Sequence, residues 1–150
     1  MLVKDIMSTD LVTCSVEESL QQAVKIMLQN GVGSVIVCKD ETPIGIVTET
    51  DILQAGYITK RPFVEIPIRK VKSDSLITIA PGSTLRRATQ MMNENNIKKL
   101  VVIEDLDPVG IITTKDITTK YHEIVAQAHS LSNPSQPRKL NPSVARFDIE

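Results

Sequence analysis

Thr48 and Asp51, three residues apart, recur 65 positions later as Thr113 and Asp116. They sit in two copies of one heptapeptide, Gly45-Ile46-Val47-Thr48-Glu49-Thr50-Asp51 and Gly110-Ile111-Ile112-Thr113-Thr114-Lys115-Asp116. A hydroxyl and a carboxylate at that spacing can do two things. At a helix start, the Thr oxygen caps the N–H of the third helical residue and the acid bonds back to the Thr N–H, forming a capping box. The same place offers unpaired N–H groups and partial positive charge to a phosphate. A carboxylate there can accept both hydroxyls of a ribose. The two readings are compatible, so the surrounding chain has to decide.

Each heptapeptide follows an apolar, β-branched run that reads as a buried strand, and each leads into a helical pattern. Both lie in a longer internal repeat. Residues 6–53 align with 71–118 without a gap and are identical at 15 of 48 positions, among them Ser8/Ser73, Leu11/Leu76, Met27/Met92 and Pro43/Pro108. Each unit starts with a short extended piece, Leu11 to Thr13 or Leu76 to Thr78, followed by a helix over about 18–30 or 83–95. Leu20, Ala23, Val24 and Met27 have the spacing of a buried helix face, repeated by Leu85, Ala88 and Met92. The two methionines read as core filler. Strands Val35 to Cys38 and Ile44 to Val47 follow, with Leu100 to Ile103 and Val109 to Ile112 in the second unit. Lys39 to Pro43 and Glu104 to Pro108 read as five-residue turns.

The unit is therefore β-α-β-β-α, and the fold class α/β (α+β), with two units related by a pseudo-two-fold axis. A unit of about 60 residues buries too little surface alone, so the two sheets should pack face to face. The expected division is 1–65 and 66–125, joined by a linker from Gly56 to Pro67, with a C-terminal tail over 126–150. That tail holds three Ser and two Pro between Ser130 and Arg138.

Hydrophobic content of 41% and charged content of 23% are ordinary for a globular chain. The net charge of −1 gives no general attraction to nucleic acid or anionic lipid. Aromatics, at 3%, are not interleaved with basic clusters, which argues against a base-stacking platform. No apolar run reaches the ~18 residues of a membrane span, and the N-terminus lacks a signal-peptide core. A cytoplasmic location without a membrane partner is expected.

Cys14 and Cys38, shifted by the repeat, fall on Ile79 and Ile103, and so read as small buried hydrophobes. His122 and His129 are seven apart, with no acid or thiol partner at metal-ligand spacing. Asp51 and Asp116 fall at helix starts, a poor setting for a general acid. No Ser/His/Asp or Cys/His set falls on corresponding loops. The chain has no catalytic residues to offer and does not read as an enzyme.

Tandem β-α-β-β-α units carrying Gly-apolar-apolar-Thr-x-x-Asp resemble the CBS domain, named after cystathionine β-synthase, whose paired form is a Bateman module. The resemblance covers about residues 3–122. It implies an adenine nucleotide (AMP, ADP or ATP) as ligand in two clefts between the units, with no cofactor required. The family's ribose acid maps onto Asp51 and Asp116, and its sugar- or phosphate-contacting hydroxyl onto Thr48 and Thr113. The adenine-side walls map crosswise: Leu11, Val12 and Val32 go with Asp116, and Leu76, Ile77 and Ile97 with Asp51. Backbone near Ile46 and Ile111 is expected to close each floor.

The family often has basic residues where this chain has Lys98 and Lys99. With Lys115 these are confined to the second unit, while Gly33, Ser34 and Thr50 occupy the equivalent positions. The clefts should therefore be unequal, although Lys98 and Lys99 also fit a solvated strand end. The resemblance further implies a homodimer in a flat disc. No effector domain accompanies the two units in these 150 residues, so a separate, unknown effector protein is expected. S-adenosylmethionine and NAD-type ligands also occur in the family. A structural dimerisation module with vestigial clefts is an alternative, weakened by the intact Thr and Asp in both copies.

Overall fold

Each repeat unit builds one three-stranded sheet. In the computed structural model, residues 1–72 and 76–132 are described; Ser73 of the repeat and residues 133–150 of the expected tail lie outside them. The first sheet comprises β1 (Thr13–Ser15), β2 (Ser34–Lys39) and β3 (Thr42–Thr48), with β2 in the centre. The second comprises β4 (Thr78–Ile79), β5 (Lys99–Glu104) and β6 (Asp107–Thr113), with β5 in the centre. In both, the first strand runs parallel and the third antiparallel to the central one. Helices α2 (Leu20–Asn30) and α4 (Leu85–Asn95) follow the first strands. Helices α3 (Glu49–Thr59) and α5 (Thr114–Ser132) follow the last. A short helix, α1 (Val3–Ile6), precedes everything.

The central strands are apolar on both faces because both are covered. Val35 and Val37 point into a core with Leu20, Ala23 and Met27, while Ile36 points the other way. Leu100 and Val102 pack with Ala88 and Met92, while Val101 turns away from them. Ile36, Val101 and Ile111 form a third cluster, with Leu11, Cys38, Ile46, Leu76 and Ile103 packed against it. This cluster contains residues of both sheets and is the face-to-face contact expected from the repeat.

The hairpin turns are shorter than five residues. Asp40 and Glu41, with φ of 48° and 69°, make a two-residue connection, as do Asp105 and Leu106 at 50° and 71°. Left-handed conformation at both central positions matches the natural twist of a hairpin. Pro43 and Pro108 lie inside β3 and β6, opposite Cys38 and Ile103 across a register shift. An edge strand at a bulge tolerates a residue that cannot donate a hydrogen bond.

The linker is likewise a structural piece. Gly56 lies within α3, and residues 63–65 and 68–70 form single 3₁₀ turns. Ile66 and Ile68 are buried in the first unit's core, whereas Val3 from the N-terminus is buried in the second's. The two segments exchange places by matching bonds. Ile68 N donates to Glu18 O at 3.1 Å, and Val3 N to Ser83 O at 2.8 Å. Leu20 N donates to Ile66 O at 2.7 Å, and Leu85 N to Met1 O at 3.3 Å. Moving one partner down and the other up by the repeat length turns each bond of a pair into the other, which is the signature of the pseudo-two-fold relation. Helix α5 continues to Ser132, into residues expected to belong to the tail.

Candidate functional site

The Thr/Asp pairs close capping boxes at the two strand-to-helix steps. Thr48 ends β3 and caps α3: its N–H donates to Asp51 Oδ2 at 2.8 Å, and Asp51 N donates to Thr48 Oγ1 at 3.4 Å. Thr48 Oγ1 also donates to Asp51 Oδ2 at 3.0 Å. In the second unit, Thr113 N donates to Asp116 Oδ2 at 2.9 Å and Asp116 N to Thr113 Oγ1 at 3.1 Å. Such a cap stabilises a helix by about 1 kcal/mol. It also holds each carboxylate by one oxygen, Oδ2, and leaves Oδ1 outside the box. All four side chains are partly exposed. Each site therefore presents a fixed carboxylate oxygen beside a helix N-terminus, a geometry able to accept vicinal hydroxyls with an anion nearby.

The apolar residues named with these pairs are set by local structure as well. Gly31 and Asn96 end α2 and α4 in the left-handed conformation, at φ of 61° and 52°. Val32 N then reaches back to Met27 O at 3.1 Å, and Ile97 N to Met92 O at 3.0 Å. This Schellman-type closure packs Val32 and Ile97 against their own helices and cores. Val12 lies at the edge of the first core and Ile77 at the edge of the second. Leu11 and Leu76 join Ile46 and Ile111 in the cluster between the sheets. Ser8 and Ile111 exchange backbone bonds at 2.9 Å in both directions, so the strand entering Leu11 runs beside the end of β6. The approach is close enough that a Cβ on Gly110 would lie 2.5 Å from Met7 Sδ.

The three lysines separate. Lys98 and Lys115 are exposed. Lys99 stands opposite Thr113 in the β5–β6 ladder, and its Nζ crosses to the first unit, donating to Gly33 O at 3.1 Å. Burial pulls its pKa below the ordinary lysine value, against the opposing pull of Glu49, Asp116 and Asp51. Glu49 joins this contact, a residue that the Thr/Asp spacing does not mark. Its Oε1 and Lys99 Nζ each lie 3.2 Å from where a Gly33 Cβ would sit. An acid beside a helix N-terminus, in place of Thr114 of the second copy, was the available signal.

Asp51 also borders a cavity of about 470 Å³ between α3 and the 61–71 segment, with Gln54, Ile58, Arg61, Glu65 and Lys70 in its wall. Cys14 is buried, which pushes its thiol up to about 11, and burial raises Cys38 as well. Both are free thiols. No helix among the described residues is long and apolar enough to cross a membrane.

Two interlocked β-α-β-β-α units with a capped carboxylate at each last strand-to-helix step define a tandem module of the CBS type. The chain belongs to the CBS domain family, whose family profile matches residues 3–57 and 68–123. It thus holds a pair of CBS domains, a ligand-binding regulatory module. The CBS domain-containing protein YhcV of Bacillus subtilis is 28% identical over 133 residues, covering 89% of this chain and 94% of that protein. The mitochondrial CBS domain-containing protein CBSX3 of Arabidopsis thaliana is 29% identical over 109 residues, covering 69% of this chain and 53% of the relative. A putative acetoin utilization protein from Vibrio cholerae superposes with a TM-score of 0.75 at 24% identity, covering 86% and 97% of the two chains. The CBS domain pair of protein MJ0100, solved in complex with 5′-methylthioadenosine and S-adenosyl-L-methionine, superposes with a TM-score of 0.74 at 24% identity. That match covers 83% of this chain and 98% of the other.

Proposed function

We propose that the chain senses an adenosyl ligand, an adenine nucleotide in the first instance, and passes its occupancy to a separate effector protein without chemistry of its own. The observation that carries this is the pair of capping boxes, each using one oxygen of its Asp for the helix and presenting the other. The ribose hydroxyls bind Asp51 in one cleft and Asp116 in the other. Thr48 and Thr113 bind the sugar or phosphate, Leu76, Ile77 and Ile97 or Leu11, Val12 and Val32 flank the base, and backbone near Ile46 and Ile111 forms the floors. The adenosyl compounds bound by the MJ0100 pair support the ligand class.

The functional unit is a homodimer in this reading. Leu53, Tyr57 and Ile58 on α3 and Tyr121 and Ile124 on α5 are exposed large hydrophobics on the repeat-equivalent helices of the two units, and a partner chain covering both helices would remove them from water. The test is a melting-temperature screen of the full chain against AMP, ADP, ATP, 5′-methylthioadenosine, S-adenosylmethionine and NAD, with light scattering alongside. A rise with at least one adenosyl compound and a dimeric mass are expected. A flat screen on a folded dimer would favour a purely structural module instead.

A further inference from the structure

We propose that Lys99 is a single cation shared by the two clefts, so that the chain takes up one phosphate-bearing adenosyl ligand strongly and a second only weakly. Adenosyl ligands without phosphate would fill both clefts alike. The inference rests on the cleft assignment above and adds to it a coupling between the sites.

Lys99 belongs to both clefts by construction. Its backbone is paired with Thr113, the capping residue of the second unit's box. Its ammonium group donates to Gly33 O, at 3.1 Å, in the first unit. Gly33 directly precedes Ser34, which pairs with Thr48 across β2 and β3, and Gly33 O also accepts Glu49 N at 3.3 Å. One side chain thus runs from one Thr/Asp box to the other. The carboxylates of both boxes, with Glu49, act on its charge.

The pseudo-symmetry supplies no second cation at this place. The counterpart of Lys99 is Ser34, buried at 7% exposure and too short to reach the opposite box. Lys98 and Lys115 are exposed, and their counterparts are Gly33 and Thr50. A phosphate in either cleft would draw the ammonium group from the Gly33 carbonyl, which its flexible four-carbon stem permits. The second ligand would then find the lysine engaged and another phosphate's charge close by in a partly desolvated centre, where charges interact more strongly than in water.

Losing one charge-assisted contact and gaining that repulsion should weaken the second phosphate-bearing ligand by about tenfold or more. The test is calorimetry and equilibrium dialysis on the full chain, with AMP and the uncharged 5′-methylthioadenosine as probes. Expected are two equal methylthioadenosine sites per chain, and AMP binding in two steps separated by about tenfold or more. In Lys99→Met the first AMP step should weaken by about tenfold or more and the gap between the steps should narrow to what phosphate repulsion alone sustains, while methylthioadenosine still fills two sites, which also shows that the variant is folded. Two equal AMP sites in the parent chain, or an unchanged gap in Lys99→Met, would overturn the sharing while leaving the clefts intact. Binding of neither probe to the parent would overturn the cleft assignment and the sharing with it.

Discussion

Asp51→Asn separates the two tasks assigned to one carboxylate. Asp51 Oδ2 accepts from Thr48 N at 2.8 Å and from Thr48 Oγ1 at 3.0 Å. An asparagine keeps a carbonyl oxygen that can accept from both Thr48 N and Thr48 Oγ1, with its NH₂ in the outward position, so the box survives. It loses the charge and the second acceptor oxygen. The ligand-free protein should therefore hold its stability within about 0.5 kcal/mol. Asp51→Ala removes the carboxylate half of the box, leaving the residue 51 N–H on Thr48 Oγ1, at a cost of about 1 kcal/mol, or roughly 2–4 °C in melting temperature for a chain of this size. For the ligand, both variants lose hydrogen bonds to an ionised group worth roughly 1.5–3 kcal/mol, about tenfold or more in affinity. The assay is a thermal melt of the parent and the two variants, with and without AMP and 5′-methylthioadenosine. Asn should keep the ligand-free melting temperature and lose most of the ligand-induced rise in its own cleft. Ala should lose both. If Asn melted like Ala and still responded to ligand like the parent, the carboxylate would be structural only.

Three further outcomes follow from the packing. Gly110→Ala places a Cβ 2.5 Å from Met7 Sδ and 3.0 Å from the Ser8 carbonyl oxygen. It should cost about 1–3 kcal/mol, and Met7→Ala in the same chain should recover part of that in a double-mutant cycle. Deleting residues 1–7 removes Val3, fully buried in the second unit's core. Denaturant unfolding should show a loss of at least about 1.5–3 kcal/mol from that side chain alone; an unchanged midpoint would contradict the exchanged packing. Cys14 is raised from 9.0 to about 11, mainly by burial. The unfolded chain therefore ionises this thiol at a pH where the native one does not, so stability present below about pH 9 falls as pH rises towards about 11. Urea midpoints across that window should fall less in Cys14→Val than in the parent.

Much of the fold was legible because each repeat unit states its pattern twice. The run Val35-Ile36-Val37 is apolar without alternation, as a strand covered on both faces must be, and Leu100-Val101-Val102 says the same. The hairpin turns are shorter than the sequence suggests because Pro43 and Pro108, which look like turn residues, belong to the strands. Proline breaks a strand only where its missing N–H is needed, and at an edge it is not. The exchange of Val3 for Ile68 leaves a trace in the sequence: both stand in short apolar segments one repeat length apart, outside the aligned blocks. Periodicity assigns such residues to a core but does not say which of two equivalent cores, since the choice depends on the path of the chain. The Thr/Asp boxes lay at the other extreme. Their hydrogen bonds close within four residues, so spacing alone determines them. Lys99 is the case between: its type and its solitary place in the second copy were readable, but its contact lies 66 residues away, at Gly33. That contact exists only because the two sheets pack face to face. A basic residue at that strand end in one unit alone becomes, once the units are joined, a cation at the boundary of both.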